Sequence, residues 1–172
     1  MRVSTLFAVA TLAAAAALPA QATVFTFFTA MTGAAEAPSN ASPGTGTATV
    51  TFNDVAGTVQ VAETWTGLLG NVNNNHIHIA TTAGGTGNVA LGFGTVPATS
   101  SGTFSGTFTP ANFTTLLTGA NAGLAYVNLH STAFGGGEIR GFQAPVPEPE
   151  SYALMLGGQA FVRFSARRRK VR

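Results

Sequence analysis

The sequence predicts an all-β domain: an antiparallel, Greek-key-like β-sandwich or barrel of about eight short strands with one short connecting helix. Three observations carry this. Apolar and hydroxyl residues alternate in Thr47-Ala48-Thr49-Val50-Thr51-Phe52, the period-2 pattern of a strand with one buried face. Similar segments recur through the middle of the chain, separated by Gly, Asn and Pro. Helical periodicity is nearly absent from the same region.

In chain order the strands are read at Val24 to Met31, Gly46 to Asn53, Thr58 to Trp65, His76 to Ala80, Val89 to Phe93, Gly102 to Thr109, Ala122 to His130 and Glu138 to Phe142. Gly84-Gly85-Thr86-Gly87 fits a hairpin turn. The tandem echo Ser101-Gly-Thr-Phe-Ser105-Gly-Thr-Phe stays within one strand and implies no solenoid. The helix is expected at Pro110 to Leu117, with Thr109 as cap, Pro110 in the first turn and Gly119 at the exit. The short Gly-rich turn Thr132 to Gly137 should pair the two last strands.

The ends do not read like the middle. Arg2, an apolar run from Leu6 to Leu18 and Pro19-Ala20-Gln21-Ala22 have the order of a secretory signal, so residues 1–22 are expected to be removed after Ala22, with Ala20 completing the small-residue site. That run is shorter than the roughly 20 apolar residues of a membrane span. The β domain is then 23–143. A Pro-rich linker, 144–150, carries Pro147-Glu148-Pro149. A tail, 151–172, runs from the apolar Tyr152 to Val162 into a basic end.

Charge and cysteine usage exclude several classes. The net charge of +2 misleads, because between Thr23 and Pro145 the acids Glu36, Asp54, Glu63 and Glu138 face a single base, Arg140. Phosphate binding needs Lys and Arg to displace counterions, so nucleic acid is excluded as a partner. With no cysteine there is no disulfide, thiolate ligand or thiol nucleophile. Charged residues are 8% of the chain against about 25% in ordinary globular proteins. Thr, Asn, Ser and Gly take their place, as on many extracellular β proteins.

All three histidines fall in two strands, Asn75-His76-Ile77-His78-Ile79 and Tyr126-Val127-Asn128-Leu129-His130. Alternation puts His76 and His78 on one face, about 7 Å apart at Cα, and Tyr126, Asn128 and His130 on a face opposite Val127 and Leu129. If Ile139 packs inward, Glu138 and Arg140 join the polar face. The expectation is one patch of His76, His78, His130, Asn128, Glu138 and Arg140. Three neutral imidazoles favour zinc or copper, with Glu138 a fourth ligand or an orienting partner. The plainer alternative is that the histidines are solvated and that Glu138 pairs with Arg140.

Other chemistries fail on inventory. No G-x-S-x-G elbow or Walker loop occurs, and Asp54 is the sole aspartate. Glu36 and Glu63 are a conceivable glycosidase pair, but nothing in the sequence places them together. Trp65, the only tryptophan, reads as core or sheet packing, with a sugar platform as the alternative.

Two families are resembled. Met31-Thr-Gly-Ala-Ala-Glu36-Ala-Pro38 with Gly44-Thr-Gly46-Thr-Ala-Thr-Val-Thr, then His76-Ile-His78, then Tyr126-Val-Asn-Leu-His130 leading to Gly136-Gly-Glu138-Ile-Arg140-Gly141, together resemble the CHRD domain, named for chordin. Asn75 and Ile79 depart from the family pattern. The resemblance implies an extracellular β-sandwich or barrel. Val146 to Arg172, an exposed Pro-Glu-Pro followed by an apolar stretch and a basic end, resembles the PEP-CTERM sorting signal, which implies processing by an exosortase after transient inner-membrane association. Gln159 and Arg163 interrupt the usual apolar run. A partial resemblance, the His-x-His strand with a later histidine, is to the copper site of Cu,Zn superoxide dismutases, which use more histidines, a ligand aspartate and a disulfide.

The functional expectation is an exported protein of the periplasm, cell surface or matrix, with a non-enzymatic domain that binds an exopolysaccharide or another surface protein. The alternative is a copper- or zinc-binding protein, with superoxide-dismutase-like redox chemistry as its enzymatic form.

Overall fold

The computed structural model describes residues 23–147. The expected signal segment 1–22 with Ala20 and Ala22, Glu148, Pro149 and the tail 151–172 lie outside the described residues.

Alternation dictates the strands. They are β1 (Val24–Thr32), β2 (Thr45–Asn53), β3 (Thr58–Thr66), β4 (Val72–Ala80), β5 (Gly87–Gly92), β6 (Gly102–Phe108), β7 (Ala125–Ser131), β8 (Ile139–Phe142) and β9 (Ala144–Pro145), with a 3-10 turn at Gly33–Ala35 and one helix, α1 (Phe113–Asn121). All pair antiparallel in one sheet curled into a half-barrel, in the order β5-β4-β7-β8-β1-β2-β3-β6, with β9 on β1. The non-consecutive neighbours β4-β7, β8-β1 and β3-β6 are the Greek-key-like crossovers.

The concave face is the core. Phe27 and Met31 of β1, Val50 and Phe52 of β2, Val59, Val61 and Trp65 of β3, Ile77 of β4, Val127 and Leu129 of β7 and Ile139 of β8 are all buried there. Each such side chain contributes about 1.5–3 kcal/mol on burial. Leu116 and Ala120 of α1 join the same cluster. Phe93, just past β5, stacks at 5.7 Å on Phe104 and 5.6 Å on Phe108 of β6, which ties the two edges of the curl together.

Several boundaries differ from expectation: β4 starts at Val72 rather than His76, and β5 runs Gly87–Gly92 rather than Val89 to Phe93. The helix starts at Phe113, not Pro110, because Pro110 to Phe113 is used as a turn, with the Phe113 amide donating to the Pro110 carbonyl at 3.2 Å. Thr109 therefore caps nothing. Asn112 stands at the cap without a side-chain cap bond, its amide nitrogen donating to the Ala90 carbonyl instead. Gly119 lies inside the helix, where a Cβ would press on Ile79, and the exit falls to Gly123 at φ +68°, so β7 begins at Ala125. The expected linker opens as structure: Ala144 and Pro145 pair with Phe28 and Phe27. Pro145 needs no N–H there, and the Val146 amide donates to the Thr26 carbonyl at 2.8 Å. Among the described residues, no helix is long and apolar enough to cross a membrane.

Candidate metal centre

The β4–β7 pairing assembles the histidines. In this register His76 lies opposite Asn128, His78 opposite Tyr126 and Asn74 opposite His130. With Ile77, Val127 and Leu129 turned into the core, the imidazoles project from the convex face, as alternation predicts. The His76 ring centroid lies 4.5 Å from that of His78 and 4.6 Å from that of His130. One nitrogen from each ring falls in a group whose members are all within 4.8 Å of one another.

Hydrogen bonds fix which nitrogens are free. His78 Nδ1 lies 2.8 Å from the Gly87 carbonyl oxygen, and His130 Nδ1 lies 2.8 Å from that of Gly135. A carbonyl only accepts, so both Nδ1 atoms carry the proton and both Nε2 atoms keep their lone pairs. Those two Nε2 atoms and His76 Nδ1 are buried without any hydrogen-bond partner. Burial, followed by the neighbouring imidazoles of His130 and His78, pushes the His76 pKa down to about 4. Burial is also the largest influence on His78, whose pKa is lowered despite the opposing bond to Gly87. His76 and His78 are therefore neutral at neutral pH. Three buried ring nitrogens without partners cost free energy, and a cation among them would supply the missing contact.

The convex face here is covered. Asn128 and Arg140, opposite each other on β7 and β8, are 4% and 2% exposed. Arg140 Nε donates to the Ala35 carbonyl. Its two terminal nitrogens donate to the carbonyls of Gly85 at 3.0 Å and Gly84 at 3.1 Å. The guanidinium thus ties the 3-10 turn and the β4–β5 hairpin down over the sheet. It also lies 4.9 Å from the centroid of the Tyr126 ring, which stacks flat on His78 at 4.8 Å. The Gly87 amide donates to the Tyr126 hydroxyl at 3.3 Å, so ring and hairpin hold His78 from two directions.

Of the six residues expected in one patch, five share this layer and Glu138 does not. Its carboxylate turns away to accept from the Ser42 hydroxyl and the Leu69 amide, both at 2.6 Å. It lies outside the histidine cluster and is not the partner of Arg140. Gly137, at φ +125°, breaks the pleat just before Glu138, so strand alternation does not extend to it. Burial pushes the Glu138 carboxyl up, but hydrogen bonds from Ser131, Ser42, Leu69 and Gly70 outweigh it and hold the pKa below its ordinary value. The acid beside Arg140 is Glu36, at 3.9 Å. Burial raises the Glu36 pKa to about 7 against the pull of that guanidinium.

Glu63 lies far from Glu36 in role: it faces the core and accepts a hydrogen bond from the Asn75 amide. Burial raises its pKa to about 8, with the Asn75 bond opposing, so it is a neutral acid at neutral pH. The signal was present in Val59-x-Val61-x-Glu63-x-Trp65, where Glu63 occupies an inward position. Glu36 beside Arg140 and Glu63 in the core therefore do not face a common site. Trp65 is 3% exposed and donates its indole N–H to the Thr99 carbonyl at 3.1 Å, which removes the sugar-platform reading.

A family model described as CHRD domain matches residues 27–142. No curated protein and no solved structure matches.

Proposed function

Because the chain belongs to the CHRD domain family, and because three orphaned imidazole nitrogens converge on its convex face, we propose that it is an exported binding module holding one copper or zinc ion. The ligands are His76 Nδ1, His78 Nε2 and His130 Nε2. The observation that carries the reading is that these three atoms are buried without partners, in rings that each bring one nitrogen into a group within 4.8 Å. The hydrogen bonds from His78 and His130 to Gly87 and Gly135 supply the orienting contacts that metal-bound histidines ordinarily have.

The role is binding rather than turnover. Catalytic metal sites keep an open coordination position, whereas all three donors here are out of contact with solvent. Dismutase chemistry therefore has no visible entry for its substrate. The test loads the full chain with copper or zinc, removes the excess and measures retained metal. About one equivalent is expected for the native chain and under about a tenth for His78→Ala, by the cost of losing one of three ligands. No retention at micromolar metal overturns the reading.

Export rests on the ends of the sequence. The basic, apolar and small-residue order of 1–22 supports secretion, and Pro147-Glu148-Pro149 with the basic end supports exosortase processing after a passing association with the inner membrane. The mature domain then works at the cell surface or in the matrix, where an exopolysaccharide or a surface protein is its macromolecular partner. Deleting Pro147 to Arg172 should change the fraction in which the protein is found. An unchanged distribution argues against sorting.

A further inference from the structure

Resting on the metal-binding reading, we propose that the centre selects monovalent copper, held by three nitrogen donors and no fourth ligand. Donor inventory is the first ground. Among the described residues, the cluster contains His76, His78 and His130 and no carboxylate, and the chain has no cysteine. The nearby acids are committed elsewhere: Glu138 to Ser42 and Leu69, Glu36 to the side of Arg140, and Glu63 to Asn75 in the core. The Asn128 amide packs against Gly137. Zinc is almost always four-coordinate, with water completing sites that have three protein ligands. Here no described carboxylate joins the cluster, the unpartnered oxygen of Asn128 opposite His76 is a neutral amide, and the three donor atoms do not meet solvent.

Charge is the second ground. Three imidazoles add no negative charge, and the Arg140 guanidinium lies over the Tyr126 ring that stacks on His78. Born desolvation scales with the square of the charge, so a divalent ion in this layer meets about four times the penalty of a monovalent one. Imidazole suits copper as well as zinc, so the donor type leaves charge and coordination number to decide between them. The tautomers of His78 and His130 are already set by backbone carbonyls, which leaves a prearranged three-nitrogen site.

The experiment uses the full chain under anaerobic conditions. Cu(I) is titrated in competition with bicinchoninate, Zn(II) in competition with a chromophoric zinc chelator, and the copper-loaded protein is examined by X-ray absorption. One equivalent of Cu(I) with three nitrogen scatterers is expected, resisting about a hundredfold excess of Zn(II) on the charge argument. If zinc displaces copper at equal concentration, or a fourth light-atom ligand is seen, this inference falls while the metal-binding reading stands. If neither metal is retained, both fall. His130→Asp tests the charge argument in a site that stays assembled: adding a carboxylate should shift preference from Cu(I) toward Zn(II) by at least about tenfold. An unshifted preference overturns it. Circular dichroism confirms that the variant is folded.

Discussion

The two convex flanks of the curled sheet obey the same alternation and end in opposite environments. Across β1, β2, β3 and β6 the outward residues form rows such as Ala30-Thr47-Thr64-Thr103 and Thr26-Thr51-Gln60-Thr107, all exposed or half-buried and none charged. Across β4, β7 and β8 the outward row is His76, Asn128 and Arg140, at 6%, 4% and 2% exposure. What separates them is a lid. Arg140 draws the Ala35, Gly84 and Gly85 carbonyls over one flank, and nothing comparable covers the threonines. A strand's period tells which side chains leave the core; the loops decide whether leaving the core means meeting water. The histidine cluster lies on the covered flank.

Removing the lid's tie should break the contrast most strongly. Arg140→Leu deprives three carbonyls of their charge-assisted donor and leaves Glu36 without its neighbour, so a loss of about 3–5 kcal/mol is expected from denaturant unfolding. Metal retention should fall with it, since the hairpin that anchors His78 Nδ1 is the one released. Arg140→Lys should recover only part, because a single ammonium cannot span contacts fanned out by a planar guanidinium. A loss under about 1 kcal/mol for Arg140→Leu means that the lid stays down for other reasons.

This lid marks the limit of what the sequence reveals. The strands were legible, because alternation and turn residues are local. So was the shared face of His76, His78, Asn128 and His130, which needs only the pleat and one pairing. The covering of that face was not, because Arg140 reaches backbone carbonyls, which carry no side-chain signature and lie 55, 56 and 105 residues away. Glu138 was assigned to the wrong neighbours for a related reason: the left-handed Gly137 resets the chain just before it. Glu63 was legible, since its inward position is written in the spacing of Val59, Val61 and Trp65, but a carboxyl there looks like a candidate for chemistry until its core partner Asn75 is seen.

A smaller effect sharpens the contrast between core and lidded flank through pH. The folded pKa of Glu63 is raised to about 8 and that of Glu36 to about 7, from an ordinary 4.5. The folded chain thus holds these protons more tightly than the unfolded chain. Their contribution is fully present below about 4.5 and is lost as pH rises through the raised values. Glu138, with its lowered pKa, has the opposite sign: its contribution is present above the ordinary value and lost as pH falls through the folded one. Below about pH 6.5 the lowered pKa values of His76 and His78 work in the opposite direction, so urea unfolding should show the decline from about pH 6.5 to about pH 8. Glu63→Gln, which preserves a neutral group of the same shape beside Asn75, should flatten the upper part of that decline. A native chain that gains stability across the window contradicts the assignment of Glu63 as the neutral acid.

The least effect is expected on the open flank. Thr64 is exposed, with its hydroxyl 3.1 Å from that of Thr47, a contact that water can replace. Thr64→Lys places a charge on this neutral face without burying it, and lysine's lower strand propensity costs only a fraction of the roughly 1 kcal/mol that the scale spans. Stability should move by no more than about 0.5 kcal/mol and metal stoichiometry should not move at all, because the imidazoles sit on the other flank. A larger loss of stability, or a change in bound metal, means that the two flanks are coupled through the core and that the threonine rows are more than a solvated surface.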